Sequence, residues 1–98
     1  MKSIIIVALL LLPTIVAAEN INGEYPICTS ENAIKEFSTA RMFNDFAKVE
    51  KFVTSGECTF VEPDIKAVIT ERSLYPKVLV FIPYKSPMTG WTARENLN

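Results

Sequence analysis

The sequence predicts a small α+β domain that carries one disulfide and follows a cleavable signal peptide. Three observations support this. An apolar run begins shortly after Lys2, apolar residues recur at helical spacing between residues 30 and 55, and the period becomes that of β-strands beyond Cys58. We therefore expect two short helical segments followed by a β-rich part.

Residues 1–18 have the layout of a secretory signal. Lys2 precedes an apolar stretch, and small residues before Glu19 suit cleavage by signal peptidase at that point. The stretch from Ile4 to Ala18 has fifteen residues, fewer than the roughly 20 that span a bilayer, so we expect no stable membrane anchor. The prediction is a periplasmic or secreted protein whose single domain comprises residues 19–98.

Two predicted helical segments fill residues 30–55. Ser30 is a suitable N-cap for the first segment, Asn44 is the candidate cap of the second, and Gly56 provides its stop. One bent continuous helix is the alternative, because no glycine or proline interrupts the two segments. We expect the aromatic residues of the predicted apolar faces to lie in the core: Phe37, Phe46 and Phe52.

The segments before and after the helices have different patterns. Glu19 to Ile27 is polar and predicts an extended lead-in, whereas Cys58 to Leu97 contains short runs with the alternation of strands. Prolines and polar residues between these runs indicate loops. The predicted strands are Cys58 to Glu62, Ile65 to Thr70, Lys77 to Ile82, and a final short strand at Gly90 to Thr92.

Cys28 and Cys58 are the only cysteines, and export would bring both into an oxidising compartment where thiols pair. We therefore predict a disulfide between them. A mature domain of this size buries only about 60 to 65 per cent of its unfolded surface, so a covalent link is a useful addition to a marginal core. A metal-binding or reactive pair of thiols is disfavoured, because the chain has no Cys-x-x-Cys motif and no histidine.

The C-terminal half resembles bacterial SH3-like (SH3b) modules. The residues that carry the resemblance are Cys58, the run from Ile65 to Glu71, Val78-Leu79-Val80, and Gly90-Trp91-Thr92 followed by Leu97. The resemblance implies a small, strongly bent antiparallel barrel behind a short helical pair, as in some short exported bacterial proteins. The segment from Pro83 to Thr89 departs from the family, which has a tight glycine turn there.

Composition excludes several chemistries. The chain has no histidine, which removes the commonest general base near neutral pH and the commonest metal ligand. Its three glycines are too dispersed for a phosphate-binding loop, and we expect no cofactor and no catalytic residue. Without Lys2, nine basic and eleven acidic side chains remain, and this formal charge of minus two gives no attraction to nucleic acid.

Four residues are candidates for ligand contact. Tyr75, Tyr84 and Met88 lie beside prolines in predicted loops, where burial is not required, and Trp91 follows Gly90 in the final strand. Modules of the family bind proteins, peptides or cell-wall components, although the fold alone does not fix the ligand. The sequence thus favours an exported, non-catalytic binding module. The alternative is a small secreted inhibitor, or an immunity or exclusion factor, that acts on a hydrolase, phage or toxin component.

Overall fold

The computed structural model of the protein describes residues 18–98. The predicted signal peptide lies outside the described residues except for Ala18. The elements, in chain order, are β1 (Glu19–Asn20), β2 (Ile27–Cys28), α1 (Glu31–Met42), α2 (Phe46–Thr54), β3 (Cys58–Thr59), β4 (Lys66–Glu71), β5 (Lys77–Phe81), β6 (Met88–Trp91) and a 3-10 turn (Arg94–Asn96). The architecture is α+β, as the sequence predicts.

Helix α1 begins at the predicted position. The side chain of Ser30 accepts a hydrogen bond of 3.0 Å from the backbone N–H of Ala33. This bond satisfies one of the N–H groups that have no partner at the start of a helix. Glu31 lies in the first turn and Arg41 in the last, where their charges complement the helix dipole. The predicted N-cap is confirmed.

Helix α2 is separate from α1, and its cap differs from the predicted one. The carboxylate of Asp45 accepts a hydrogen bond from the backbone N–H of Lys48, so Asp45 is the N-cap and the prediction of Asn44 is wrong. Asn44 instead has a φ of 57°, in the left-handed region that asparagine tolerates better than most residues, and it turns the chain between the helices. Gly56, with a φ of 83°, follows the end of α2 as predicted.

The strands form one antiparallel sheet in the order β1-β4-β5-β6-β2-β3. The predicted lead-in contributes two of them, β1 and β2, which sequence periodicity cannot detect in segments of two residues. The edge strands β1 and β3 do not pair with each other, so the sheet is open. With two residues each, they lack the long shared edge that closure of a barrel requires. The antiparallel sheet is therefore present, but a closed SH3-like barrel is not confirmed.

Two apolar clusters lie on opposite faces of this sheet. Ile27 and Cys28 are consecutive in β2 and so point to opposite faces, which places them in different clusters. The first cluster contains strand and loop residues: Ile21, Ile27, Val61, Ala67, Val78 and Val80. The second joins the helices to the sheet: Cys28, Ala33, Ile34, Phe37 and Cys58. The lead-in strand β2 thereby connects both parts of the core.

The predicted disulfide is present. Cys28 and Cys58 are directly opposite each other in the β2–β3 pair, with 4.0 Å between their Cα atoms, and their sulfur atoms are bonded. Cys28 precedes α1 and Cys58 follows α2. The bond therefore closes the base of the helical pair, where both cysteines are buried against α1.

Gly90 allows β6 to lie close to β2. A Cβ atom at this position would stand 2.5 Å from Cγ2 of Ile27 and 2.7 Å from the carbonyl oxygen of Cys28. Both distances are too short for any side chain, and one of the two atoms belongs to the backbone and has little freedom to move. The missing side chain therefore sets the approach of the two strands and the positions of Trp91 and Thr92 that follow.

The three phenylalanines expected in the core have different outcomes. Phe37 is fully buried, and its ring meets those of Phe52 and Phe60 edge to face at 6.4 and 6.0 Å between centroids. Phe52 is half-buried, whereas Phe46 is 68% exposed, so its expected burial is wrong. Phe46 lies in the first turn of α2, beyond the reach of the sheet. Within the described part of the chain, neither helix combines the length and apolar character needed to span a bilayer.

Candidate functional site

The four predicted contact residues lie at two ends of the β5–β6 hairpin. Tyr75 precedes β5 and Trp91 ends β6, and both are half-buried against the helix-side cluster. Trp91 is also opposite Lys77, whose Nζ lies 4.9 Å from the centroid of the indole ring. Tyr84 and Met88 lie at the other end. The structure therefore brings Tyr75 and Trp91 to one side and separates them from the other pair.

The end of the hairpin that carries Tyr84 and Met88 is a different surface. Tyr84 is fully exposed, with a φ of 62°, while Met88 packs partly against the sheet cluster. Met88 also borders a depression of about 410 Å³ between the β5–β6 turn and the segment after β3. Its walls include Val61, Ile65 and Pro83.

Two Tyr-Pro segments are held side by side by Thr92. The hydroxyl of Thr92 donates a hydrogen bond of 2.9 Å to the carbonyl of Pro26, and its backbone N–H donates one of 3.1 Å to the carbonyl of Pro76. Both prolines and Thr92 are buried. Because each proline follows a tyrosine, this double contact fixes Tyr25 and Tyr75 relative to each other.

Asn96 completes the buried polar network. Its amide Nδ2 donates to the hydroxyl of Thr92 at 3.1 Å, and its Oδ1 accepts from the backbone N–H groups of Gly23 and Tyr25 at 3.0 and 3.3 Å. Buried polar groups of this kind are costly unless paired, and here they are paired with each other and with the backbone. The network fixes the lead-in against the C-terminal segment and so positions Tyr25.

Arg41, in the last turn of α1, is held over Tyr25. Its guanidinium carbon lies 4.6 Å from the centroid of the tyrosine ring, and its Nη1 donates a hydrogen bond to the carbonyl of Glu24. Among residues 18–98, no carboxylate forms an ion pair with Arg41. The guanidinium is thus oriented by its neighbours while most of its donors remain available to a ligand.

These groups line a cleft between α1 and the two Tyr-Pro segments. The cleft has a volume of about 300 Å³. The hydroxyl oxygen of Ser38, one turn before Arg41 on α1, is buried and has no hydrogen-bond partner in the described part of the protein. The lining residues, which we call the tyrosine cleft, are Tyr25, Ser38, Arg41, Met42, Tyr75 and Glu95.

A larger depression, of about 550 Å³, follows α2, and its lining is mainly charged, with Phe52 as the one aromatic side chain. Lys48 and Glu36 line it and pair with each other at 3.6 Å, and the carboxylate of Asp45 caps the helix. Across residues 18–98, no group of three or more His, Cys, Asp or Glu side chains is placed to hold a metal ion. The tyrosine cleft combines aromatic walls with unpaired polar groups, and we therefore treat it as the candidate binding site.

The sequence predicts one residue of the tyrosine cleft, Tyr75, and misses the others. A signal was present for Tyr25, because the Tyr-Pro dipeptide occurs at residues 25–26 and again at 75–76. No local pattern indicates Ser38 or Arg41, which belong to an ordinary amphipathic helix. They become part of a site only through contacts between distant parts of the chain.

Comparison with known proteins identifies no relative. No protein-family model matches the chain, and no curated protein or solved structure has a significant match to it.

Proposed function

We propose that the protein is an exported, non-catalytic binding module that recognises a protein or peptide through the tyrosine cleft. The observation that carries this proposal is the pair of tyrosines held by Thr92 beside an oriented, unpaired arginine. Periplasmic or secreted localisation is part of the proposal and depends on the signal peptide. The presence of a disulfide fits an oxidising compartment.

The physical argument for binding is that the tyrosine cleft is preorganised. Tyrosine offers a large apolar face and a polar tip with few rotatable bonds, so a ligand can bury it at low entropic cost. Tyr25 and Tyr75 are half-buried already, and their backbones are fixed by buried hydrogen bonds. A rigid cleft of this type favours binding because little ordering is left to occur on association.

The SH3-like assignment and the absence of catalysis belong to the same proposal. An open antiparallel sheet is compatible with a distant SH3-like origin, and the resemblance in the segment from Gly90 to Thr92 falls on the residues that organise the tyrosine cleft. The lone hydroxyl of Ser38 has no histidine beside it to act as a base, since the chain contains none. Cell-wall material remains the other ligand class that the family resemblance favours.

A second candidate function is that of an inhibitor, or of an immunity or exclusion factor, directed at a hydrolase, phage or toxin component. The corner between the two helices favours it. Met42, Phe43 and Phe46 are exposed there by 75, 74 and 68% of their surfaces. Large apolar side chains that are exposed close together in the sequence are typical of surfaces that contact a partner.

Site-specific photo-crosslinking in the cells that export the protein tests both candidates. A benzophenone amino acid replaces Tyr75, Tyr84, Phe43 or, as the matched exposed control on α2, Glu50. The proposed function predicts a discrete adduct from position 75 and none from position 50, with the partner then identified by mass spectrometry. An adduct only from position 43 would support the second candidate, and one only from position 84 would move the contact site to the Tyr84 and Met88 end of the hairpin.

A further inference from the structure

We propose that the tyrosine cleft recognises a carboxylate, specifically the C-terminal carboxylate of a peptide, with Arg41 and Ser38 as its donors. This inference rests on the proposed function, because it names the chemistry that the same cleft would bind. It goes further in assigning the ligand group and the two side chains of α1 that hold it.

Arg41 provides the first requirement, a fixed guanidinium with free donors. Stacking on Tyr25 and the bond to the Glu24 carbonyl restrict its rotation. A guanidinium matches the two oxygens of a carboxylate with parallel hydrogen bonds, and this geometry distinguishes it from a lysine ammonium. No carboxylate among residues 18–98 is paired with Arg41, so its fork is open to an external one, and Glu95 is the carboxylate of the same cleft that opposes such a ligand.

Ser38 provides a second, independent indication. Its hydroxyl lies three residues before Arg41 and therefore on the same face of α1. Serine in a helix commonly bonds to the carbonyl one turn earlier, as Thr39 does to Lys35 at 3.0 Å, but Ser38 has no such bond. A buried hydroxyl without a partner is unfavourable, and a rotation of the Ser38 side chain toward the cleft would let an oxygen of a bound carboxylate satisfy it.

The walls and the size of the tyrosine cleft favour the end of a peptide chain as the ligand. Sites for small molecules have volumes of roughly 300 to 1,000 Å³, and the tyrosine cleft, at about 300 Å³, is at the lower limit. It has room for one or two residues rather than for a folded surface. Tyr25 and Tyr75 line the walls, so an apolar or aromatic terminal side chain would lie against their rings.

Glu95 restricts the charge of the ligand. It also lines the cleft and, in the described part of the chain, has no ion pair. A second negative charge on the ligand would be repelled, so the terminal residue is expected to have a neutral side chain. Removal of this charge should strengthen carboxylate binding, whereas it would weaken a ligand held through an amine.

Titrations of the protein comprising residues 19–98, followed by amide NMR, test the inference. The probes are N-acetyl-Ala-Phe with a free carboxylate and the same dipeptide as its C-terminal amide. We expect the acid to bind about tenfold more tightly than the amide, because a charge-assisted bidentate contact is lost. The largest shifts should occur at Ser38, Arg41 and the two tyrosines.

Four variants separate the roles. Arg41→Lys keeps the charge but not the fork, and we expect it to weaken binding of the acid about tenfold, with Arg41→Gln weaker still. Ser38→Ala should weaken it severalfold, and Glu95→Gln should strengthen it about two- to fivefold. The matched control, Lys48→Gln on α2, should leave it unchanged. Because Ser38 and Glu95 act in opposite directions, partial unfolding cannot produce the whole pattern.

The outcomes distinguish the inference from the proposed function. Equal affinity of acid and amide would overturn the carboxylate assignment, while shifts confined to the tyrosine cleft would still support a binding site there. Absence of binding by either probe at its solubility limit would also overturn the assignment. The crosslinked partner from position 75 would in that case still test the proposed function separately.

Discussion

Helix α1 and helix α2 are held to the protein in different ways. Helix α1 buries four side chains, Ala33, Ile34, Phe37 and Ala40. Helix α2 buries none, although its sequence has the more regular alternation of apolar and charged positions. An amphipathic pattern therefore indicates that a helix forms, but it does not determine how deeply the helix is buried. The extent of burial depends on which helix packs against the sheet.

The contacts of α2 explain its exposure. Its apolar stripe, through Val49 and Phe52, packs partly against the cluster that α1 already shares with β2 and β3. Its first turn extends beyond that cluster, so Phe46 stays in solvent. An exposed ion pair between Lys48 and Glu36 links it to α1 and contributes little. We infer that the stability of α2 depends on how its two ends are held, and that it does so more than the stability of α1.

Replacement of Phe37 should have the largest effect. Phe37→Ala removes a fully buried ring that contacts both Phe52 and Phe60, so the free energy of unfolding should fall by about 3 to 5 kcal/mol. Denaturant titration monitored by circular dichroism measures the change. A loss below about 1 kcal/mol would show that α1 is not the principal attachment of the helical pair.

Loss of the disulfide should reveal the weaker helix. Cys58→Ser should lower the free energy of unfolding by about 2 to 5 kcal/mol, because the bond restricts the unfolded chain. Since only three residues separate α2 from β3, amides of α2 should also lose more protection from hydrogen exchange than those of α1.

The control for this prediction is the double variant Cys28→Ser/Cys58→Ser, which has no free thiol to form mixed disulfides. Thermal melts of the unsubstituted protein with and without reductant provide a second comparison. Superimposable melts would mean that the bond contributes nothing, and equal loss of protection in both helices would contradict the difference between them.

The elements that the sequence predicts correctly are those with local signals. Ser30 is a favoured cap residue directly before Glu31 and the apolar positions of α1, and the alternation around Val78 and Val80 is long enough to define a strand. Asn44 and Asp45 are adjacent and both suit a cap, so the choice depends on which residue takes the positive φ at the turn. The open sheet could not be foreseen, because pairing of β1 and β2 depends on contacts with distant strands.

The tyrosine cleft was predictable only in part for the same reason. Tyr75 has a local signal, a proline neighbour in a loop. Tyr25 reaches it through the hydrogen bond between Thr92 and Pro26, which joins residues 66 positions apart, and through Asn96, 71 positions from Tyr25. Such long-range polar contacts leave no periodic pattern in a single sequence.

The N-caps allow a further comparison of the two helices, with smaller expected effects on stability. Asp45→Ala and Ser30→Ala should each lower the free energy of unfolding by about 0.5 to 2 kcal/mol, the usual range for a lost N-cap. The local response should differ, because α1 keeps its buried face while α2 has none. Hydrogen exchange should therefore show fraying along α2 in the first variant and only in the first turn of α1 in the second. Equal fraying would contradict this difference.

Replacement of Phe46 should have the smallest effect on stability, although Phe46 and Phe37 are both phenylalanines. Phe46→Ala removes a ring that is 68% exposed, so the free energy of unfolding should change by no more than about 0.5 kcal/mol. The same variant tests the exposed corner between the helices, because a partner that inserts there would bind more weakly while the melting temperature stays constant. A large loss of stability would instead show that the first turn of α2 packs against the core, and the contrast between the two helices would then be wrong.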